Sequence, residues 1–269
     1  MPGIEWILLY VALGAFAGFM TGLLGLGGGG ILVPLLASIF IYQGMAVDNV
    51  VHLALGTSLT CMIISSTASM RAHAARGSVE WRIVRGMAPG IILGAFLASQ
   101  IVANINATYI AIFFALFMLL VAGQMFINWQ PKPSEKPISL RGLIFTGVGI
   151  GSISALAAVG GGFLTVAYLG YKSVGIKKAI GTSAAIGFPI AIAGATGYMI
   201  SGWSKTLSNP YTFGYIYLPA FLAISIASYI AAPYGVRYSH SLPEAYLKKI
   251  FAVISLALSI KMLISFVHF

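Results

Sequence analysis

Gly25-Leu26-Gly27-Gly28-Gly29-Gly30-Ile31-Leu32 is the stretch on which the reading of this chain turns. It closes an apolar run from Trp6 to Leu26, close to the ~20 residues a helix needs to cross a bilayer. It also opens a second run, Ile31 to Tyr42, only about half that long. Glycine tolerates left-handed backbone and lets another backbone or a ligand approach closely, so one helix should stop here and another start just after it. A helix that begins inside hydrocarbon presents unpaired N–H groups and the positive end of its dipole, which suits an anion. The same block could instead serve tight helix packing.

Further apolar runs follow at Val51 to Met70, Ile83 to Val102 and Tyr109 to Ile127. The Pro-rich polar stretch Gln130-Pro131-Lys132-Pro133-Ser134-Glu135-Lys136-Pro137 then divides the chain near its middle. Beyond it, Leu140 to Val159 ends in Gly160-Gly161-Gly162, and Phe163 to Leu169 is again short. Ala179 to Ile200, Phe213 to Ala232 and Ile250 to Phe266 complete the pattern. Of the 269 residues, 59% are hydrophobic and only 7% charged, with a mean hydropathy of +0.97. A soluble domain carries about 25% charged residues, so this surface must face lipid. Backbone groups in hydrocarbon must pair internally, and long continuous apolar runs select helices over a barrel.

The expected fold is therefore an all-α polytopic membrane protein, with eight full spans plus two short Gly-broken helical segments. Residues 1–129 form a first membrane repeat, 130–139 a cytoplasmic linker and 140–269 a second repeat. The duplication is visible in residues: Gly28-Gly29-Gly30-Ile31-Leu32 matches Gly160-Gly161-Gly162-Phe163-Leu164, and Ala54-Leu55-Gly56-Thr57-Ser58 matches Ala179-Ile180-Gly181-Thr182-Ser183. Pro89 and Pro219 are each expected inside the third span of their half.

Charge sets the orientation. Arg71, Arg76, Arg82 and Arg85 form one cluster, and Lys132, Lys136 and Arg141 a second. Lys172, Lys177 and Lys178 make a third, and Arg237, Lys248 and Lys249 a fourth. Basic residues favour the cytoplasmic side, which places thirteen of the fifteen together and leaves Lys205 and Lys261. That requires each Gly-broken segment to go in and come back, giving each half an odd number of crossings and inverting the second half. A single continuous crossing per broken segment is the alternative, with both halves in one orientation. The net charge of +10 is spent on topology, with no basic face interleaved with aromatics, so nucleic acid is excluded as a partner. The N-terminus lacks the basic region of a cleavable signal peptide and is read as part of the mature chain. The lone Cys61 excludes an internal disulfide and a CxxC metal site.

The candidate substrate-binding residues are Gly27, Gly28, Gly29, Gly30, Gly160, Gly161 and Gly162 at the breaks, with the hydroxyls of Thr57, Ser58, Thr182 and Ser183. A hydroxyl can donate to an oxyanion without the cost of burying a charge, although it can also bond back to its own helix. Arg71 and Arg76 could attract an anion to the cytoplasmic mouth, and His73 could take part in proton coupling. A positive-inside loop with Trp81 as an interfacial anchor also accounts for this region. The acids Glu5, Asp48, Glu80, Glu135 and Glu244 all fall at ends or in loops. A cation carrier normally needs acids within its spans. No catalytic triad, metal motif or cofactor motif is present, so an enzyme is not expected. A small anion is the substrate class that remains.

The Gly25–Gly30 motif, its echo Val159-Gly160-Gly161-Gly162, the paired Gly-Thr-Ser motifs and Arg76-Gly77-Ser78-Val79-Glu80-Trp81 together resemble the TauE/SafE family of sulfite and organosulfonate exporters. The resemblance covers nearly the whole chain. It implies a secondary carrier exporting sulfite, a sulfonate or sulfoacetate through the bacterial inner membrane, coupled to protons. The second half has Gly202-Trp203 in place of the Arg-rich loop, so an arginine role cannot be symmetric. A channel or uptake carrier for another small anion, a non-transporting assembly subunit and a homodimeric arrangement stay open.

Overall fold

The computed structural model describes residues 3–25, 28–127, 139–206 and 210–267. These form α1 (Ile4–Leu24), α2 (Gly29–Tyr42), α3 (Val47–Ala74), α4 (Trp81–Val102) and α5 (Ala107–Ile127). The second half supplies α6 (Leu140–Ala157), α7 (Gly162–Tyr171), α8 (Ile176–Gly202), α9 (Leu218–Ser241) and α10 (Glu244–Val267). Gly27 and most of the linker, with Lys132 and Lys136, lie outside the described residues. The described residues form no sheet; Thr212 and Tyr217 make an isolated bridge.

Small residues at four-residue spacing occupy one face of a helix and set the closest packing. In α1, Gly14, Gly18 and Gly22 lie against the backbone of Ile224, Ser228 and Ala232 of α9. A Cβ at Gly14 would fall 2.5 Å from the Ile224 carbonyl oxygen. Both sets of numbers rise together, so α1 and α9 run parallel. The second half repeats the device: Gly147 and Gly151 of α6 lie against Met87 and Ile91 of α4, again parallel. Between these pairs, Gly56 of α3 sits beside Tyr198 of α8, Leu59 beside Gly194 and Ser66 beside Gly187. Here the numbers run oppositely, so α3 and α8 are antiparallel. The bonds from Gln100 to the Gly197 carbonyl at 2.9 Å and from Lys205 to the Ala103 carbonyl at 2.8 Å set α4 parallel to α8. Thr57 beside Tyr217 and Cys61 beside Phe221 set α3 parallel to α9. The two halves thus interleave, and each of these pairings between the halves has a counterpart or is its own.

The Gly-broken segments turn back. α6 begins beside the start of α4, where Gly86 meets Leu143. α8 also begins at that end, where Gly181 meets the Ser78 backbone. Since α6 and α8 leave the same end in the same direction, α7 must bring the chain back. At the opposite end, α2 returns far enough for the Tyr10 hydroxyl to bond Gln43 Oε1 at 3.2 Å. The there-and-back path is therefore the one adopted, and a continuous crossing is not.

Seven helices are long and apolar enough among the described residues to cross a membrane: α1, α3, α4, α5, α6, α8 and α9. α2, α7 and the described apolar part of α10, Ala252–Met262, are shorter. Large apolar side chains such as Leu120, Phe145 and Ile230 point outward, as a lipid-facing surface requires. One end gathers the basic residues: Lys178 pairs with Glu80 at 2.5 Å, and Lys177 bonds the His240 carbonyl at 3.2 Å. Lys205 lies at the other end.

Two expectations are corrected. Pro219 does not sit in the interior of its span; it is the second residue of α9, where its missing N–H costs nothing. The span starts at Leu218 because Phe213 to Tyr217 fold into a loop instead, with Phe213 N–H bonded to the Ile216 carbonyl. Pro89 and Pro189 do lie inside α4 and α8. The second correction shifts the register of the glycine blocks by one residue, as described next.

Candidate functional site

Each break is built from a hydroxyl residue, a left-handed cap four positions on and a left-handed N-cap three beyond that. In the first, the Gly25 N–H bonds the Thr21 carbonyl with φ 69°, and Gly28 starts α2 with φ 73°. In the second, the Ala158 N–H bonds the Ser154 carbonyl with φ 47°, and Gly161 starts α7 with φ 68°. Gly28 therefore corresponds to Gly161, not Gly160, because dihedral angles rather than identities set the register. A non-glycine residue at φ > 0 carries strain, and Ala158 bears it at the point where the two breaks touch.

They touch directly. A Cβ on Gly29 would overlap the Ala158 carbonyl, and one on Gly30 would fall 2.7 Å from Met118 and 2.9 Å from Val159. Glycine is needed here because backbone meets backbone. α2 and α7 both begin at this meeting point, and the first N–H groups of each have no acceptor within their own helix. Beside it a narrow crevice is lined by Gly28, Gly30, Met118, Val159, Ser255 and Leu258. In this conformation it leaves room for about one water. Ser255, Ser154, Thr165 and Ser58 are buried, and none of their hydroxyls has a hydrogen-bond partner. Thr165 Oγ1 lies 3.1 Å from where a Cβ on Gly161 would stand. The Gly160 carbonyl faces Gly187 of α8, with Ser66 of α3 nearby. Buried, unpartnered hydroxyls are uncommon; of these, Ser255 lines the crevice, whose walls are otherwise apolar and uncharged, and Thr165 lies beside Gly161.

The Gly-Thr-Ser motifs prove to be clamps. Thr57 Oγ1 accepts the Tyr217 N–H at 2.9 Å, and Thr182 Oγ1 accepts the Glu80 N–H at 3.0 Å. Gly56 and Gly181 give these loops their room, since a Cβ on either would overlap the carbonyl of Tyr215 or Ser78. Each threonine thus holds the loop that leads into a helix of the other half. Ser183 donates to the Gly25 carbonyl at 3.1 Å and ties α8 to the first break, whereas its counterpart Ser58 has no partner. The structure brings the glycines of the two breaks together and places the threonines away from them, toward opposite ends.

Arg71 and Arg76 are exposed at the basic end, and Arg76 folds back to the Ala72 carbonyl at 3.1 Å. His73 is buried, its Nε2 3.3 Å from the Gly22 carbonyl. No group of three or more His, Cys, Asp or Glu able to hold a metal occurs among the described residues. The sequence reading missed Ser154, Thr165 and Ser255. Thr21 and Ser154 were findable as hydroxyls four residues ahead of each break, but Ser255 reaches the site only through the packing of α10.

Comparison with known proteins matches residues 10–262 to the model of the family described as sulfite exporter TauE/SafE. A probable membrane transporter protein of Haemophilus influenzae is 33% identical over 96% of this chain and 98% of its own. Probable membrane transporter proteins of Methanocaldococcus jannaschii and Bacillus subtilis are 26% identical over 89% of both chains and 28% identical over 72% of this chain and 78% of the relative. No solved structure matches. These relatives are named as transporters rather than enzymes, and the chain belongs to the TauE/SafE family of membrane transporters.

Proposed function

We propose that this protein is a secondary transporter that exports small sulfur-containing oxyanions, sulfite or sulfonates such as sulfoacetate, across the bacterial inner membrane with proton coupling. The observation that carries the reading is the meeting of two glycine breaks, Gly29 against Ala158 and Gly30 against Val159. Two helix starts converge there, each with the positive end of its dipole and first-turn N–H groups directed out of the helix. Ser255 and Thr165 add hydroxyls that lack partners, and no acid of the chain falls at the centre of a span to repel an anion. The family's description adds the sulfur chemistry.

The same reading makes the protein an inverted repeat of two halves, 1–129 and 140–269, joined by the 130–139 linker. Its support is direction: α1 and α3 run one way and α4 the other, while their counterparts α6, α8 and α9 are each reversed. The eight longer helices are then the spans, and α2 and α7 are the short segments that return. The basic end is the cytoplasmic one, and lipid covers the apolar exterior. Alternation of the two clamped loops would open the closed crevice to one side at a time.

A thermal-shift screen of the purified protein against sulfite, sulfate, sulfoacetate, taurine and thiosulfate tests the substrate class. Stabilisation by sulfite or sulfoacetate is expected, weakened in Ser255→Ala. Stabilisation by none of these anions contradicts it. Sulfite flux in vesicles that survives both Gly28→Ala and Gly161→Ala removes the breaks as the binding site.

A further inference from the structure

The two halves differ at one matched pair of contacts. His73 stands sixteen residues after Thr57, and Tyr198 stands sixteen after Thr182. Each reaches the carbonyl three residues before the cap of a glycine break: His73 Nε2 to Gly22 at 3.3 Å and the Tyr198 hydroxyl to Ala155 at 3.5 Å. One break is therefore tied to a phenol, which stays neutral over the working pH range, and the other to an imidazole, which need not. A carbonyl can only accept, so His73 Nε2 carries the hydrogen, and Nδ1 is left as the basic nitrogen.

That Nδ1 is buried without a partner, and so is Nε2 of His240 on α9. The two rings lie side by side, centroids 5.5 Å apart. The two nitrogens are not hydrogen-bonded to each other, but the rings are close enough that charge on one opposes charge on the other, so the pair takes up one proton before a second.

We propose that His73 and His240 titrate as a coupled pair that takes up a single proton, and that this site links pH at the basic end to the first glycine break through the Gly22 carbonyl. The inference deepens the proton-coupled transport reading above. The charged surroundings are cationic: Arg71 on α3 and Arg76 just beyond it, Arg237 one turn before His240 on α9, and Lys177 of α8 at the His240 carbonyl. α1 contributes carbonyls only, its sole acid being Glu5 at its far end. Glu80 is held by Lys178. The acid of α3, Asp48, lies in its first turn, at the end opposite His73. With no free carboxylate supplied by these elements at the basic end, an anion drawn toward the break becomes the counter-charge for the proton, so each ligand favours the other.

Full-length protein labelled with 15N-histidine in nanodiscs, titrated from acid to alkaline pH, reads the site without any substrate. His240→Gln should move the His73 midpoint by about one pH unit, and His73→Gln should move that of His240. Midpoints indifferent to the other substitution overturn the pair. Should His73→Gln fail to fold, His73→Tyr, which copies the contact of the other half, and His240→Gln keep the coupling measurable. In flux assays both His73 variants should flatten the pH profile; an unchanged profile overturns the link to the break. Absence of any oxyanion flux would refute the transport reading alone and leave the titration result standing.

Discussion

Thr57→Val separates a clamp from a ligand group. Valine keeps the shape of threonine and removes only the acceptor for the Tyr217 N–H, now bonded at 2.9 Å. Tyr217 is 4% exposed, so water cannot replace the lost acceptor, and an unsatisfied buried N–H costs about 1–3 kcal/mol. That lowers the folded-to-unfolded ratio by about tenfold for each 1.4 kcal/mol, a loss of several degrees in Tm. The matched change, Thr182→Val, strips the acceptor from Glu80 N–H at 3.0 Å. Glu80 is only half-buried, so water can step in, and the cost should be ~1 kcal/mol or less. Thermal unfolding of both variants in detergent gives the order directly, with Thr57→Val the less stable. A Thr57→Val protein as stable as wild type that no longer binds anion would show the hydroxyl to be a substrate contact. A greater loss in Thr182→Val would refute the burial argument.

Further outcomes follow from the breaks and the basic end. Gly28→Ala places a side chain at φ 73° and against Thr21 Oγ1, where left-handed strain alone costs about 1–2 kcal/mol. Adding Thr21→Ala should recover part of the lost Tm, since it removes the obstructing oxygen. Gly161→Ala meets the mobile end of Ile190 at 2.8 Å and should cost less than Gly28→Ala in the same melt. Ser255→Ala removes a hydroxyl that bonds nothing in the protein, so stability should hold while anion affinity falls, as a binding titration would show. Glu80→Gln breaks an ion pair whose side chains are 36% and 57% exposed, and the melt should register ~1 kcal/mol at most.

Hydropathy and the glycine blocks made the helical membrane architecture and the duplicated breaks legible in the sequence. Counting Lys and Arg gave the turn-back path, which the parallel starts of α6 and α8 bear out. Other features required geometry. The register of the second break was misread by one residue because Gly160 and Gly161 are chemically identical, and only φ tells which of them starts α7. Thr57 and Thr182 read from sequence as candidate ligands because a hydroxyl in a span can donate or accept, and the clamp that each forms is a matter of geometry. The hydroxyl's partner, a loop some 160 residues away for Thr57, cannot be seen from local pattern. The Gly14, Gly18 stripe and its copy Gly147, Gly151 stood in plain sight, and their matching spacing marks the same faces of α1 and α6. His240 and Ser255 enter only through the packing of α9 and α10.

The central claim is that the touching glycine breaks hold the transported anion. Efflux of labelled sulfite from vesicles containing wild-type protein or Gly29→Ala tests it most directly, because a Cβ at Gly29 overlaps the Ala158 carbonyl of the opposing break. The account predicts saturable sulfite efflux by the wild type and its loss in a folded Gly29→Ala protein. Equal efflux by both would contradict it.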